Sequence, residues 1–164
     1  MEDLKKAFTS LGLKNIRTLL NSGNVIFEAS KSDPAIVTEK LEQRLKRKFG
    51  FEIPVIIRTV AELQALEKSD PFIGIEVTPQ IRLYISFLSE KPHGKLKIPY
   101  QSPEKTYRIL SASAREVCTV LTLSPNTQST DLMSVLEKEF GKKITTRNWN
   151  TVERILALIS TDES

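Results

Sequence analysis

Apolar residues recur along this chain at two spacings, and the spacing changes from segment to segment. Leu4, Phe8 and Leu11 stand three or four positions apart, which puts them on one face of a helix. Residues 2–12 are therefore predicted to be helical, with Gly12 as the stop. Ile16–Leu20 and Val25-Ile26-Phe27 read as the two strands of a hairpin. Between them lies Asn21-Ser22-Gly23-Asn24, a turn in which Gly23 supplies positive φ. Asp33 and Pro34 mark the start of a second helix. Leu41, Leu45 and Phe49 form its apolar stripe, directed at the core, and Gly50 ends it. Ile53–Arg58 reads as a buried strand. Thr59-Val60-Ala61-Glu62 is a capping box opening a third helix with Leu63 and Leu66 inward, closed by Asp70-Pro71-Phe72.

The second half follows the same grammar. Ile81–Leu88 reads as a strand with Leu83, Ile85 and Phe87 on one face. Residues 89–103 lack periodicity and read as a long loop, with a length that points to a role or to mobility. A second hairpin covers Thr106–Leu110 and Glu116–Leu123. Ser129 or Thr130 caps a helix running to Phe140, Gly141 stops it, Lys143–Arg147 is a short strand, and a last helix begins near Thr151.

Laid over each other, the halves correspond. Leu41, Leu45, Phe49, Gly50 and Ile53 match Leu132, Leu136, Phe140, Gly141 and Ile144 at an offset of 91, and Val25, Thr59 and Val60 match Val117, Thr151 and Val152 at 92. The extra residue falls at the junction between the last strand and the last helix. A duplicated hairpin–helix–strand–helix unit accounts for this.

Composition narrows the class without naming a chemistry. Of 164 residues, 40% are hydrophobic and 27% charged, a globular balance. No apolar run approaches the roughly 20 residues that span a bilayer, so no membrane partner is expected. The opening Met1-Glu2-Asp3-Leu4-Lys5-Lys6 is charged and has no apolar signal segment behind it. One cysteine, Cys118, permits no internal disulfide and suits a cytoplasmic protein. With one histidine, His93, as its companion, no His/Cys metal site is expected, and no cofactor is implied. The net charge of +4 is mild. It fits a solvated surface, and it also fits contact with phosphates.

Two segments carry a resemblance. Asn21-Ser22-Gly23-Asn24-Val25-Ile26-Phe27 and Thr146-Arg147-Asn148-Trp149-Asn150-Thr151-Val152 resemble motifs of a bacterial family catalogued as domain of unknown function 1697. Arg17-Thr18, Phe49-Gly50, Arg58-Thr59 and Asp70-Pro71-Phe72 follow its pattern too. The resemblance implies an α+β fold of duplicated ferredoxin-like halves, antiparallel-rich sheets with helices packed on one face, and it implies no established activity. The halves are expected at 1–76 and 77–164, or joined as one compact unit. Members of that family usually begin with a hydrophobic strand and a glycine loop, whereas Met1 here falls inside what would be the following helix. The expectation is a truncated chain, or another strand in that place. In the second half Ile81–Leu88 fills it.

Candidate chemistry concentrates where the repeat is broken. Arg147, Asn148, Trp149 and Asn150 join a strand to a helix N-terminus, where free N–H groups hold anions. An arginine and two amides can direct hydrogen bonds, and Trp149 can stack a base or sugar ring. The architectural alternative has Asn150 with Glu153, or Thr151 alone, capping the helix while Trp149 plugs a core or interface. The polar turn Asn21, Ser22 and Asn24 is the second candidate ligand contact, against a plain hairpin turn. Lys40, Arg44 and Lys48 share a helix face that suits phosphates or solvent. These residues point to a binding module for a nucleotide, nucleic acid or other anionic ligand. The alternatives are an enzyme with its site in the cleft between the halves, and an interaction protein forming a homodimer through an incomplete sheet.

Overall fold

A computed structural model describes residues 2–19, 23–30, 33–92, 94–125 and 129–162. Asn21, Ser22 and His93 lie outside the described residues, as do the side chains of Ser129 and Thr130. The chain falls into two compact units, Met1–Ile57 and Arg58–Ser164. This break comes earlier than the expected 76/77 boundary because the third helix packs against the last one, both being in the second unit.

The first unit opens with α1 (Glu2–Ser10) and the hairpin β1 (Lys14–Leu19) and β2 (Asn24–Glu28), which pair antiparallel as a two-stranded sheet. Gly23 takes the turn at φ +78, as its sequence context predicts. Helix α2 (Pro34–Phe49) starts as expected, with the Asp33 carboxylate accepting the Ala35 N–H at 2.9 Å. It ends at Gly50, left-handed at φ +82, whose N–H reaches the Lys46 carbonyl. Both ends follow from local chemistry. Phe8, Leu13, Ile16 and Leu41 form the buried centre, flanked by Val25, Phe27, Val55 and Ile57, with Phe8 edge-on to Phe27.

Two expectations fail in this unit. Ile53–Arg58 is not a strand: among the described residues it joins no ladder, and the Val55 N–H is satisfied by the Glu42 carboxylate at 3.0 Å. The stripe on α2 is also incomplete. Leu41 and Leu45 are buried, but Phe49 is 37% exposed. An apolar β-branched run forms a strand only beside a partner strand, and among the described residues no strand pairs with it.

The second unit holds α3 (Val60–Lys68), β3 (Ile81–Leu88), β4 (Tyr100–Gln101), β5 (Tyr107–Ala112), β6 (Glu116–Thr122), α4 (Ser129–Phe140), β7 (Ile144–Asn148) and α5 (Trp149–Asp162). Its five strands are ordered β4-β5-β6-β3-β7, antiparallel throughout. Strands β3 and β6 are central and buried on both faces, with Ile85–Leu88 and Val117–Leu121 continuous buried runs. Such runs need cover on both sides. Leu132, Leu136 and Phe140 of α4 pack on one face with Leu88, Ile109, Val117 and Leu121. Strand alternation turns Ile85, Phe87, Cys118 and Val120 to the other face, where α5 contacts β3 and β7. The expectation of helices on a single face is thus corrected for this unit.

The long loop is built rather than free. The Gly94 N–H donates to the Glu139 carbonyl at 3.0 Å, the Leu96 N–H to the Glu139 carboxylate at 3.2 Å, and Leu96, Ile98 and Tyr100 pack against the α4-side core. Its apolar residues lack periodicity because the segment is anchored residue by residue, not as a helix or long strand.

Candidate functional site

The junction singled out by the sequence forms locally from its β-branched residues. Ile144-Thr145-Thr146 carry β7 along β3, with Ile85 opposite Arg147 and Tyr84 opposite Asn148. Helix α5 then begins at Trp149, two residues ahead of the expected Thr151. Thr151 therefore lies inside the first turn and does not cap it. Asn148 and Asn150 are exposed at the helix start, while Arg147 and Trp149 are half-buried. No acidic side chain occupies the first turn of α5.

Arg147 and Trp149 are both committed in part to the fold. The Arg147 Nη1 donates to Thr145 Oγ1 at 2.7 Å and to the Thr146 carbonyl at 3.0 Å. Burial draws its pKa below the ordinary arginine value, though a guanidinium stays charged across the physiological range. The Trp149 ring lies 5.5 Å from that of Phe72, tilted by 59°. It anchors the Asp70-Pro71-Phe72 segment, which fits the architectural alternative.

The other candidates separate from this junction. Asn24 donates its side-chain amide to the Leu19 carbonyl at 3.4 Å, closing its own hairpin. On α2, Lys48 pairs with Asp3 at 3.7 Å, and Lys46 with Glu52 at 3.4 Å. Exposed pairs of this kind fit a solvated face. Lys40 borders a pocket of about 60 Å³ with Leu11, Leu13, Ile36 and Val37, room for a few water molecules only. Cys118 is buried, and burial raises its thiol pKa, partly countered by a hydrogen bond with Ser111. Among the described residues, no three His, Cys, Asp or Glu side chains gather as a metal site, and no helix is long and apolar enough to cross a membrane.

Sequence reasoning named Arg58 but gave its side chain no role. Its Nη2 donates to the carbonyls of Leu88 at 2.7 Å and Arg115 at 2.8 Å, and its guanidinium sits 5.6 Å from the Phe87 ring centre. Arg58 therefore clips the start of α3 onto the end of β3 and the β5–β6 turn. A cation ending the apolar run 53–57 just before a capping box was the available signal.

The capping box itself forms. The Glu62 N–H donates to Thr59 Oγ1, the Thr59 N–H to Glu62 Oε2 at 2.8 Å, and Arg115 pairs with Glu62 Oε1 at 2.6 Å. Burial pushes the Glu62 carboxyl up, but the Thr59 N–H and Arg115 outweigh it, and the net pKa is lowered. A depressed carboxylate contributes stability above its unfolded pKa and loses it as pH falls through the folded value. Glu62→Gln should therefore cost about 0.5 kcal/mol at neutral pH, as expected of an exposed pair plus a cap, and nothing once the carboxyl is protonated. Urea melts at neutral and acidic pH check this; an equal cost at both would refute it.

The family model described as Protein of unknown function (DUF1697) matches residues 1–118, so the chain belongs to that family. The matched part ends before Arg147–Asn150. A solved structure, that of a conserved bacterial protein from Streptococcus pneumoniae, is similar with a TM-score of 0.67 at 21% identity, covering 97% of this chain and 88% of that one. At that identity the likeness speaks for the fold alone. Among curated proteins, none matches significantly. The function of the family is unknown.

Proposed function

We propose that this DUF1697 chain is a binding module for a small anionic ligand, of phosphate or nucleotide type, held at the start of α5. One observation carries the reading. Helices α2 and α3 open on Asp33 and on the Thr59–Glu62 box, whereas α5 opens between two exposed amides, Asn148 and Asn150, with no acidic side chain in its first turn. A helix N-terminus favours an anion by about 0.3–1 kcal/mol, and a hydrogen bond to a charged group adds about 1.5–3. The expected affinity is therefore millimolar or weaker for phosphate alone, with any nucleotide gain coming from stacking.

Trp149 is the sole tryptophan and so reports on its own site. Titration with inorganic phosphate and with a nucleoside monophosphate at low salt should give a saturable change in its fluorescence. Asn148→Ala with Asn150→Ala should weaken that response several-fold. A linear response, unchanged in the double variant, would sink the proposal.

We also infer a duplicated ferredoxin-like ancestry. The order β5-β6-β3-β7, with α4 after the β5–β6 hairpin, supports it for the second unit. Burial at matched positions supports the repeat, since Leu41 and Leu45 are buried as Leu132 and Leu136 are. Gly50 and Gly141 both take positive φ. An experimental structure in which the units superpose only in another register of these residues would overturn it.

A further inference from the structure

Within the second unit, the long loop after β3 is pinned along the end of α4. The Gly94 and Leu96 N–H groups reach the carbonyl and the carboxylate of Glu139, and Ser89 Oγ donates to the Lys143 carbonyl at 2.7 Å. A Cβ on Gly94 would stand 2.6 Å from the Glu139 carbonyl oxygen, so the two backbones touch. Leu96, Ile98 and Tyr100 turn into the α4-side core. Lys95 and Lys97, at the alternate positions, are left exposed.

This packing gathers six lysines. Lys91, Lys95 and Lys97 come from the loop, Lys138, Lys142 and Lys143 from the helix end, and all six are exposed. Residues 89–92, 94–97 and 137–143 set them against Glu90, Glu137 and Glu139, a net +3 where the whole chain carries +4. The Glu139 carboxylate is already engaged by Leu96. Among the described residues none of the six lysines has a carboxylate within 4.0 Å, whereas Lys46 and Lys48 on α2 are both paired. The negative end of α4 favours cations, but it amounts to about half a charge. Like charges therefore stand side by side here at a cost in self-repulsion, and the fold itself has no use for the loop lysines.

We infer that this lysine patch is a docking surface for the phosphate backbone of double-stranded nucleic acid, engaged without regard to sequence. A lysine is a point charge that meets phosphate oxygens without the planar fork that reads base edges. The exposed large apolar residues, Ile36, Phe49, Phe51, Ile73 and Val77, all belong to other segments. Nothing in the patch thus stacks on the bases of a single strand or sinks into a lipid surface. A duplex, with its phosphates outward, needs neither. The patch is separate from the start of α5, since Lys143 and Asn148 stand at opposite ends of β7, about 16 Å apart at the strand rise.

The test is fluorescence anisotropy of a labelled DNA duplex titrated with the full chain. Kd should be about 10⁻⁴–10⁻⁶ M near physiological salt. With four to six lysines engaged, affinity should fall by about 10²–10³-fold between about 50 and about 200 mM salt. Lys95→Gln, Lys97→Gln, Lys142→Gln and Lys143→Gln together should weaken low-salt binding about tenfold or more and flatten the salt slope by about 3. Lys5→Gln, Lys6→Gln, Lys14→Gln and Lys68→Gln together make the same change in net charge at exposed positions, and should leave affinity and slope nearly unchanged. Trp149 fluorescence checks that both variants are folded. Asn148→Ala with Asn150→Ala should not alter duplex binding, which keeps this inference distinct from the α5 reading. Absence of salt-sensitive binding overturns it. So does an equal loss in the two lysine variants, which would make net charge the cause, or a loss confined to the asparagine variant, which would put the phosphates at α5. Tighter binding of a single strand, or binding confined to vesicles of phosphatidylserine and phosphatidylcholine, overturns it as well, the latter marking the partner as a membrane surface.

Discussion

Phe140→Ala should lower the unfolding free energy of the second unit by about 3–5 kcal/mol, while Phe49→Ala should cost the first unit about 1 kcal/mol or less. The two residues close matched helices, each one position before a positive-φ glycine. Their surroundings differ. Phe140 is 4% exposed in the cluster that holds Leu88, Val117 and Leu136, so truncation leaves a cavity within a packed core. Phe49 already meets solvent over more than a third of its surface, and its removal forfeits only part of its transfer energy. Urea unfolding followed by Trp149 fluorescence reports on the second unit, and amide exchange in α2 reports on the first. Equal costs would mean that Phe49 is packed as Phe140 is.

The next largest effect is expected at Arg58. Arg58→Ala should destabilise the second unit by about 2–3 kcal/mol, because two carbonyls lose a charged donor and Phe87 loses the cation over its ring. The gain is tempered in the native protein by the desolvation of the guanidinium, which with the nearby Arg115 lowers its pKa. Arg58→Lys keeps a charge but cannot span both carbonyls with one planar group, so it should recover no more than about half the loss. Neither cost should vary between mildly acidic and mildly basic conditions, since the arginine stays ionised throughout. That separates the Arg58 contribution from the acid-sensitive one of Glu62. Thermal melts of the two variants across pH check both claims. A fully stable Arg58→Lys protein would reduce Arg58 to a generic positive charge.

The contrast between Arg58 and Arg147 shows why the site was harder to read than the fold. Arg147 stood out in sequence because it lies among amides beside the only tryptophan, and the structure ties part of that group inward, to Thr145, Thr146 and Phe72. Arg58 was noted in sequence only as the end of an apolar run and as part of the Arg58-Thr59 pair, and its partners Leu88 and Arg115 lie 30 and 57 positions away. Sequence spacing carries no signal for bonds between a side chain and distant carbonyls. The exposed part of the junction, Asn148 and Asn150, is what the ligand reading now rests on.

What the sequence by itself determined is local. Gly23 and Gly50 take the positive φ expected of them, Asp33 and the Thr59–Glu62 box start their helices, and the apolar spacing places α1, α2, β3 and both hairpins within a few residues. These follow from interactions within a turn or two of the chain, so a single segment contains all the information needed. Three outcomes were decided by tertiary structure alone. Residues 53–57 have strand composition but no strand, because a ladder needs a neighbour. Phe49 and Phe140 share a local context but not a burial, because only one has β3 beside it. Helices cover both faces of the larger sheet, because β3 and β6 are buried on both and neither strand can show which helix will cover it.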